Sequence, residues 1–515
     1  MSTLETPKYP EKIDAAVLKI SGVVLLGAIM SILDITVVNV ALPTFQTVFG
    51  SAEEPIAYSH VAWTVTAYTL ALATVIPLTG WAADRFGTKR LYLTAIGLFT
   101  AGSVLCATAT SINMLILFRV LQGLGGGMLM PLGMTIMTRA AGPQRMGRLM
   151  AILGVPMLLG PILGPILGGW LIDNASWHWI FLINAPIGVA ALVYAYVVLP
   201  SDSPVPSESF DFLGMLLLSP GLALFLFGVS SLPQEEGDFT APRVWLSMLI
   251  GAVLMLTFVW HAFRPEHPLL DLRLYKNRNL SVSSITMFFF AAAFFGGLLL
   301  VPTYFQEIRG ESTLRAGLLV APQGIGAMIT MPIAGMLVDK FPVGRIVPFG
   351  LVLITIGMFG LTQIEADTSY SLLIGLLFVM GLGMGGTMMP LFTTALKTLT
   401  HHEVARGSTL LNITQQIASS VGVAVISVML TSQLKDAPLA LPAIAAQKDP
   451  ALADQIGGAA GVAEGLVQAA AAFASTYWLA ASLVLLTFVP VFFLPRKREV
   501  THLLDDEGVP PVVVH

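Results

Sequence analysis

The chain has 515 residues, of which 55% are hydrophobic and only 11% are charged, and its mean hydropathy is +0.81. This balance is typical of a protein that crosses a membrane many times, and it excludes an ordinary soluble domain. The net charge of -4, without any basic block, argues against a nucleic-acid partner. A lone Cys106 excludes an intramolecular disulfide and a thiolate cluster. We expect no cofactor and no metal.

Apolar runs of about 20 residues, long enough to cross a hydrocarbon core, predict fourteen membrane spans. The first six lie at about 17–42, 59–82, 91–110, 112–138, 149–172 and 179–199. The other eight lie at about 211–232, 243–263, 280–303, 314–338, 346–364, 370–396, 407–431 and 473–495. With the N-terminus inside, twenty of the 26 Lys and Arg residues fall on the inner side, as the positive-inside rule requires. We therefore predict a multi-pass protein of the cell inner membrane, without a cleaved signal peptide and with both termini cytoplasmic.

A short charged turn occurs twice, as GWAADRFGTKR at 80–90 between spans 2 and 3 and as GMLVDKFPVGR at 335–345 between spans 10 and 11. The residues of interest are Gly80, Asp84, Arg85, Gly87 and Arg90 in the first copy and Gly335, Asp339, Lys340 and Arg345 in the second. GLGGGMLMP at 123–131 in span 4 is likewise matched by GLGMGGTMMP at 381–390 in span 12. The offset of eight spans predicts two six-helix halves in the same orientation, separated by an inserted pair of helices.

This repeat divides the chain into four parts. We predict an N-terminal six-helix domain at 1–199, a two-helix linker insertion at 200–264, a C-terminal six-helix domain at 265–498 and a cytoplasmic tail at 499–515. The Ala-rich segment 433–472, between spans 13 and 14, is expected to form in part an amphipathic helix on the outer face.

Two ionised residues stand inside the first half. Asp34 lies in span 1 and Arg119 in span 4, at similar depths counted from the outer ends, so that the two can form a direct pair. Burial favours the protonated form of a carboxylate and a nearby cation favours the charged form, which makes Asp34 a candidate proton switch. A static salt bridge is the alternative. Phe378 occupies the position of the second half that matches Arg119, so we expect the first half to couple energy.

Span 5 reads GVPMLLGPILGPILGGW at 154–170, with glycines one turn apart. The motif residues are Gly160, Pro161, Gly164, Pro165, Gly168 and Gly169. Small faces permit close helix packing, and we expect a bendable helix that seals against a neighbour from the other half.

Polar and aromatic side chains within the spans are candidates for a substrate cavity. They are Asn39, Trp63, Tyr68, Gln122, Met157, Phe289, Gln323, Asn412, Gln415 and Gln416. For each amide an interhelical hydrogen bond is the alternative, and for each aromatic ring core packing or lipid contact.

Together these segments resemble the major facilitator superfamily and, within it, the fourteen-helix drug/proton antiporters. The turn at 80–90 resembles motif A, LILFRVLQGLGGG at 115–127 resembles motif B and the Gly-Pro helix resembles motif C, while LDITVVNVALP and WHWIFLINAPIG resemble two signatures of the branch. The resemblance implies a 6+2+6 fold with a central cavity and export by alternating access. It assigns Asp34 to the membrane carboxylate, Arg119 to proton movement, and Asp84, Arg85 and Arg90 to a cytoplasmic contact.

Two positions depart from the family pattern. His178 replaces the usual Arg of the second signature, and span 10 lacks the carboxylate that relatives handling dications carry before the position of Asp339. Neutral or monovalent amphiphiles are therefore the expected substrates. We predict a monomeric proton-coupled exporter of amphipathic drugs or similar compounds, whose partners are small substrates, protons and the bilayer. The alternatives are an exporter of a lipid, siderophore or metabolite and a receptor without transport. An enzyme is not favoured, because no nucleophile and base converge.

Overall fold

The computed structural model describes residues 14–50, 56, 58–141, 149, 160, 163–164, 166–172, 174–201, 209–235, 237–400, 403–448 and 450–497. In these ranges the N-terminal part forms α1 (Ala15–Val48), α2 (Tyr58–Val61), α3 (Trp63–Val75), α4 (Leu78–Phe86), α5 (Thr88–Ala107), α6 (Ile112–Ala141), α7 (Trp179–Leu182) and α8 (Asn184–Val198). The middle part forms α9 (Phe212–Ser231) and α10 (Pro242–Ala262). The C-terminal part forms α11 (Arg278–Glu307), α12 (Thr313–Lys340), α13 (Val343–Leu361), α14 (Tyr370–Gly385), α15 (Met388–Lys397), α16 (Val404–Asp436), α17 (Ala440–Lys448) and α18 (Gly458–Val491).

The described helices agree with thirteen of the fourteen predicted spans. Twelve are long and apolar enough to cross a membrane, and a further pair, α3 and α4, passes the same test as one span that bends by 55°. The predicted span at 149–172 lies mostly outside the described residues. We call the side of the bundle that holds the turn at Gly87 the inner side.

The bend between α3 and α4 lies within a predicted continuous span. Helix α3 ends at Val75 and Pro77 caps α4. Proline has no backbone N–H to donate and its ring crowds the preceding turn. The break therefore lies where the sequence puts the proline, in the second half of the predicted span 59–82.

The last span is longer than predicted. We expected it at 473–495, but α18 begins at Gly458 and continues to Val491. Residues 458–472 are rich in Ala, which favours a helix without adding the hydropathy that marks a membrane span. Helix α17 lies within the Ala-rich segment 433–472, where part of the chain was predicted to be helical, but its sequence ALPAIAAQK is apolar nearly all round and not amphipathic. The backbone N–H of Leu439 just before it donates to Gln468 Oε1 of α18 at 3.1 Å.

Glycines set the packing of α6 against α3 and α5, and of α14 against α12. In α6, a Cβ on Gly123 would lie 2.6 Å from Tyr68 O of α3, and one on Gly125 would lie 2.4 Å from Phe99 N of α5. In α14, a Cβ on Gly381 would meet Gln323 O of α12. The two glycine-rich motifs of the repeat therefore bring equivalent neighbours into backbone contact.

Helices from the two ends of the chain meet on the inner side. Helix α16 packs against α4 and α6, and α9 packs against both α3 and α16. The Ser408 hydroxyl donates to Pro131 O of α6 at 3.1 Å, and the Thr79 and Thr409 hydroxyls are 3.1 Å apart. These contacts hold the inner ends of the N-terminal and C-terminal helices together.

Candidate functional site

Two buried ionised side chains form a pair between α1 and α6. Asp34 is 1% exposed and Arg119 is 0% exposed, and Arg119 Nη1 lies 2.5 Å from Asp34 Oδ2. Gln122 joins both, since its Oε1 accepts from Arg119 Nη1 at 2.6 Å and its Nε2 donates to Asp34 Oδ1 at 2.7 Å. The structure thus brings the two residues selected from the sequence into direct contact.

Asn184 and Ser103 complete the surroundings of Asp34, and neither was selected from the sequence. Asn184 Nδ2 donates to Asp34 Oδ1 at 3.2 Å and to Ser103 Oγ at 3.0 Å, and Ser103 Oγ donates to Phe181 O at 3.0 Å. Helices α5 and α8 are thereby tied to the carboxylate. The sequence did contain a signal for Asn184, because it is the only amide side chain in the signature WHWIFLINAPIG.

The other side of Arg119 faces α3. Its Nε donates to Thr64 O at 3.0 Å, and its guanidinium carbon lies 4.0 Å from the centre of the Tyr68 ring. Arg119 Nη2 is buried and has no hydrogen-bond partner among the described residues. The close approach of α3 to α6 at Gly123 allows these contacts.

The ion pair is part of the packing of α1 against α6. In the ionised pair the two charges compensate each other. Protonation of Asp34 would leave Arg119 as an uncompensated buried cation, which is strongly unfavourable away from water. Loss of the charge on Asp34 would therefore favour a rearrangement that rehydrates Arg119 or gives it another partner.

Asp84 lies at the junction between the two ends of the chain. Its Oδ2 is 3.6 Å from Arg406 Nε of α16, and its Oδ1 is 3.7 Å from Arg139 Nη2 of α6. Arg406 stands in the first turn of α16, whose amino end carries a positive partial charge. A Cβ on Gly80 would lie 3.4 Å from Arg406 Cα, so that α4 and α16 are nearly in backbone contact.

Three other residues of the first charged turn were selected from the sequence, and they differ in role. Gly87 has φ of +87°, a conformation that L side chains rarely adopt, and it links α4 directly to α5. Arg85 and Arg90 are exposed.

The second charged turn is built differently. Asp339 and Lys340 end α12, and the chain continues through Phe341 and Pro342, both with negative φ, into α13. Gly335 lies in α12, and the Arg345 side chain is exposed. Extended backbone at Phe341 and Pro342 therefore replaces the positive-φ glycine of the first copy.

The glycines of the Gly-Pro motif pack within their own half. A Cβ on Gly160 would lie 2.2 Å from Ile32 Cγ2, and one on Gly164 would lie 2.2 Å from Thr36 Oγ1, both in α1. The expectation of a neighbour from the other half is wrong for these glycines, because the small face fits the branched side chains of α1. Gly168 also faces α1, at Val37, whereas a Cβ on Gly169 would meet no atom within 4 Å. Pro161 and Pro165 lie outside the described residues.

The candidate cavity residues separate into several environments. Tyr68 and Gln122 are fully buried and belong to the group around Asp34. Asn412 is buried between α16 and α6, where its Nδ2 donates to Ser408 O and contacts Met134 Sδ. Trp63 stacks on Phe227 of α9, with 5.4 Å between ring centres.

The remaining candidates differ in exposure. Asn39 of α1 is exposed, Phe289 of α11 and both Gln415 and Gln416 of α16 are half-buried, Gln323 of α12 is buried, and Met157 lies outside the described residues.

The residue that departs from the second signature lies in an aromatic group at the start of α7. The His178 ring stacks on Trp177 with 3.9 Å between ring centres, and its Nδ1 is 3.3 Å from Ser176 Oγ. Trp177 in turn packs edge-on against Phe45 of α1. The flat imidazole ring therefore packs against the indole of Trp177 at the position where the family signature has Arg.

The family model of the Major Facilitator Superfamily matches residues 24–423. The chain therefore belongs to this superfamily and is a multi-pass membrane transporter, not an enzyme. It is 45% identical over 509 residues to the "Multidrug resistance protein B homolog" of Mycobacterium tuberculosis, across 95% of this chain and 92% of that protein. It is 32% identical over 417 residues to the "Multidrug export protein EmrB" of Escherichia coli, across 79% of each chain.

Solved structures of the superfamily share the fold. The proton:xylose symporter XylE superposes with a TM-score of 0.62 at 16% identity, covering 95% of this chain and 98% of that one. The human organic anion transporter MFSD10 superposes with a TM-score of 0.60 at 16% identity, covering 93% and 100%. Both likenesses confirm the predicted major facilitator fold.

Proposed function

We propose that this transporter exports amphipathic drugs or other small hydrophobic compounds in exchange for entering protons. The buried Asp34–Arg119 pair is the observation that carries the proposal, because ionisable residues within membrane spans are rare and mark ion or substrate pathways. The names of the relatives support drugs as the cargo. The site residues support one order of events.

A proton from the outside binds Asp34 and cancels the charge that holds Arg119. The pair separates, α1 and α6 change their packing, and the contact between Asp84 and Arg406 opens on the inner side. Substrate then binds from the inside or from the bilayer, and loss of the proton to the cytoplasm restores the ion pair. Each half moves as a six-helix unit in the 6+2+6 division at 199 and 264, with α9 and α10 as the linker pair.

The transporter lies in the inner membrane with both termini in the cytoplasm and acts as a monomer. Its substrates are neutral or monovalent amphiphiles, because span 10 offers no second carboxylate in the membrane. Half-buried residues such as Phe289, Gln415 and Gln416 would contact them.

Purified protein in liposomes provides the test. Under a pH difference, wild-type protein is expected to accumulate a lipophilic monovalent dye against its gradient, whereas Asp34→Asn loses accumulation. Asp34→Asn retains exchange of labelled for unlabelled dye without a pH difference, since exchange requires alternating access alone. Wild-type accumulation by Asp34→Asn would refute proton coupling through this residue. A comparison of exported metabolites from cells with and without the protein tests whether the natural cargo is a drug-like compound.

A further inference from the structure

Three helix ends meet on the inner side of the C-terminal half. Gly344 N at the start of α13 donates to Pro495 O at 3.1 Å, and Arg278 Nη2 at the start of α11 donates to Phe493 O at 3.4 Å. Residues 493–495, just after α18, therefore lie between the first turns of α11 and α13. Four exposed cations surround this segment. We call Arg278, Arg345, Arg496 and Lys497 the basic end cluster.

The charges of this cluster are not balanced by any of the residues that the structure describes. Among the described residues, no carboxylate lies within ion-pair distance of any of the four cations. Arg278 and Arg345 also stand in the first turns of their helices, where the helix dipole disfavours a cation. Arg406 occupies the same position in α16, but there Asp84 faces it. The comparison indicates that an anion from outside the described residues complements the basic end cluster.

Large apolar side chains adjoin the same segment. Phe492 is 67% exposed, Phe493 is 56% exposed and Phe341, at the end of α12, is 48% exposed. Aromatic residues beside cations at the ends of membrane spans are placed to meet acyl chains and headgroups together. A soluble anion would contact the cations alone.

We propose that the basic end cluster binds the headgroup of an acidic phospholipid, with the acyl chains against Phe492 and Phe493. The bound lipid fixes the inner ends of α11, α13 and α18 to one leaflet. This proposal does not depend on the transported substrate or on proton coupling.

The test uses the full-length protein in detergent, titrated with phosphatidylglycerol or phosphatidylcholine while thermal unfolding is followed. A ligand that binds the folded state raises the unfolding temperature. The test variant is Arg345→Gln/Arg496→Gln/Lys497→Gln, which leaves Arg278 to keep its contact with Phe493 O. The matched control, Lys19→Gln/Arg264→Gln/Lys276→Gln, removes three exposed cations from the same side.

Phosphatidylglycerol is expected to stabilise the wild-type protein and the control variant at similar concentrations. In the test variant, the phosphatidylglycerol concentration that gives half of the maximal rise in unfolding temperature should increase at least tenfold. Each cation near a membrane contributes about fivefold to the affinity for acidic lipid. Equal responses of all three proteins would overturn the proposal. Stabilisation of the wild-type protein by inorganic phosphate alone, at the same concentrations, would assign the cluster to a soluble anion instead.

Discussion

Asp84 and Arg406 stand 322 positions apart in the sequence, yet their side chains approach to 3.6 Å and join α4 to α16. Asp84 is also 3.7 Å from Arg139, which belongs to its own half. The carboxylate thus bridges the two halves on the inner side, and both arginines lie close to the turn that the sequence repeats.

The contact between Asp84 and Arg406 is expected to stabilise the state in which the inner side is closed. Arg406→Gln should raise the fraction of molecules with an open inner side about fivefold. A partly exposed ion pair contributes up to about 1 kcal/mol to the free energy of the state that contains it. The readout is the labelling rate of a cysteine at Met134, which is fully buried beneath α16, and the native Cys106 is itself buried. Arg139→Gln, which removes the partner from the same half, is the control. An equal rise in both variants would contradict a cross-half latch.

Asn184 is expected to stabilise the folded protein through Asp34 and Ser103. Asn184→Ala removes one hydrogen bond from Asp34 and one from Ser103, both buried. We expect the free energy of unfolding to fall by about 1–3 kcal/mol. Thermal unfolding in detergent measures this loss. The control is Asn174→Ala, since Asn174 is exposed and donates only to Trp170 O. A similar unfolding temperature for both variants would remove Asn184 from the support of Asp34.

Gly164 is expected to tolerate no side chain. A Cβ there would lie 2.2 Å from Thr36 Oγ1 and 3.0 Å from Thr36 C, so that Gly164→Ala must displace α1. Overpacking of this kind costs about 1–3 kcal/mol, and transport should fall with it because Asp34 lies on α1.

Two further variants isolate the cause. Gly169→Ala, in the same motif, meets no atom within 4 Å and should unfold and transport like the wild-type protein. Adding Thr36→Gly to Gly164→Ala should restore part of the lost stability. No rescue would indicate that the alanine acts elsewhere than on α1.

Asp211 is expected to hold the linker pair to the C-terminal half. Its Oδ1 accepts from Gly214 N at 2.8 Å and from His261 Nε2 at 2.7 Å, and its Oδ2 accepts from Leu269 N at 3.1 Å. Asp211→Ala removes a helix cap and two further bonds at a buried site, and should cost about 2–3 kcal/mol.

Unfolding of Asp211→Ala is best compared with that of Asp238→Ala. Asp238 is exposed, and its side chain accepts only from Thr240 among the described residues, two positions away. Its loss should leave the unfolding temperature unchanged. Equal effects of the two substitutions would mean that the contacts of Asp211 add nothing beyond a local turn.

Residue type and hydropathy were sufficient for some features of this protein. A carboxylate and a guanidinium in apolar runs are visible in the sequence because such residues are costly in a membrane, and the structure brings Asp34 and Arg119 together. Helices also match thirteen predicted spans. An apolar run that crosses hydrocarbon must satisfy its backbone hydrogen bonds within the segment, and a helix does so.

Residue type and hydropathy did not predict which side chains meet between helices. The sequence contained Asn184 and Ser103, but only the packing of α5 and α8 beside α1 makes them neighbours of Asp34. Trp63 is as suitable for a cavity as any aromatic residue, yet it stacks on Phe227 of the linker pair.

The sequence by itself determined the membrane class, the family, the presence of thirteen of the fourteen predicted spans and the two ionised residues of the first half. The tertiary structure alone decided which residues meet: Asp84 with Arg406, Gly164 with Thr36, and Asp211 with His261. The physical reason is that crossing a bilayer depends on the local sum of side-chain transfer energies, whereas a partner depends on how closely two distant helix surfaces can approach.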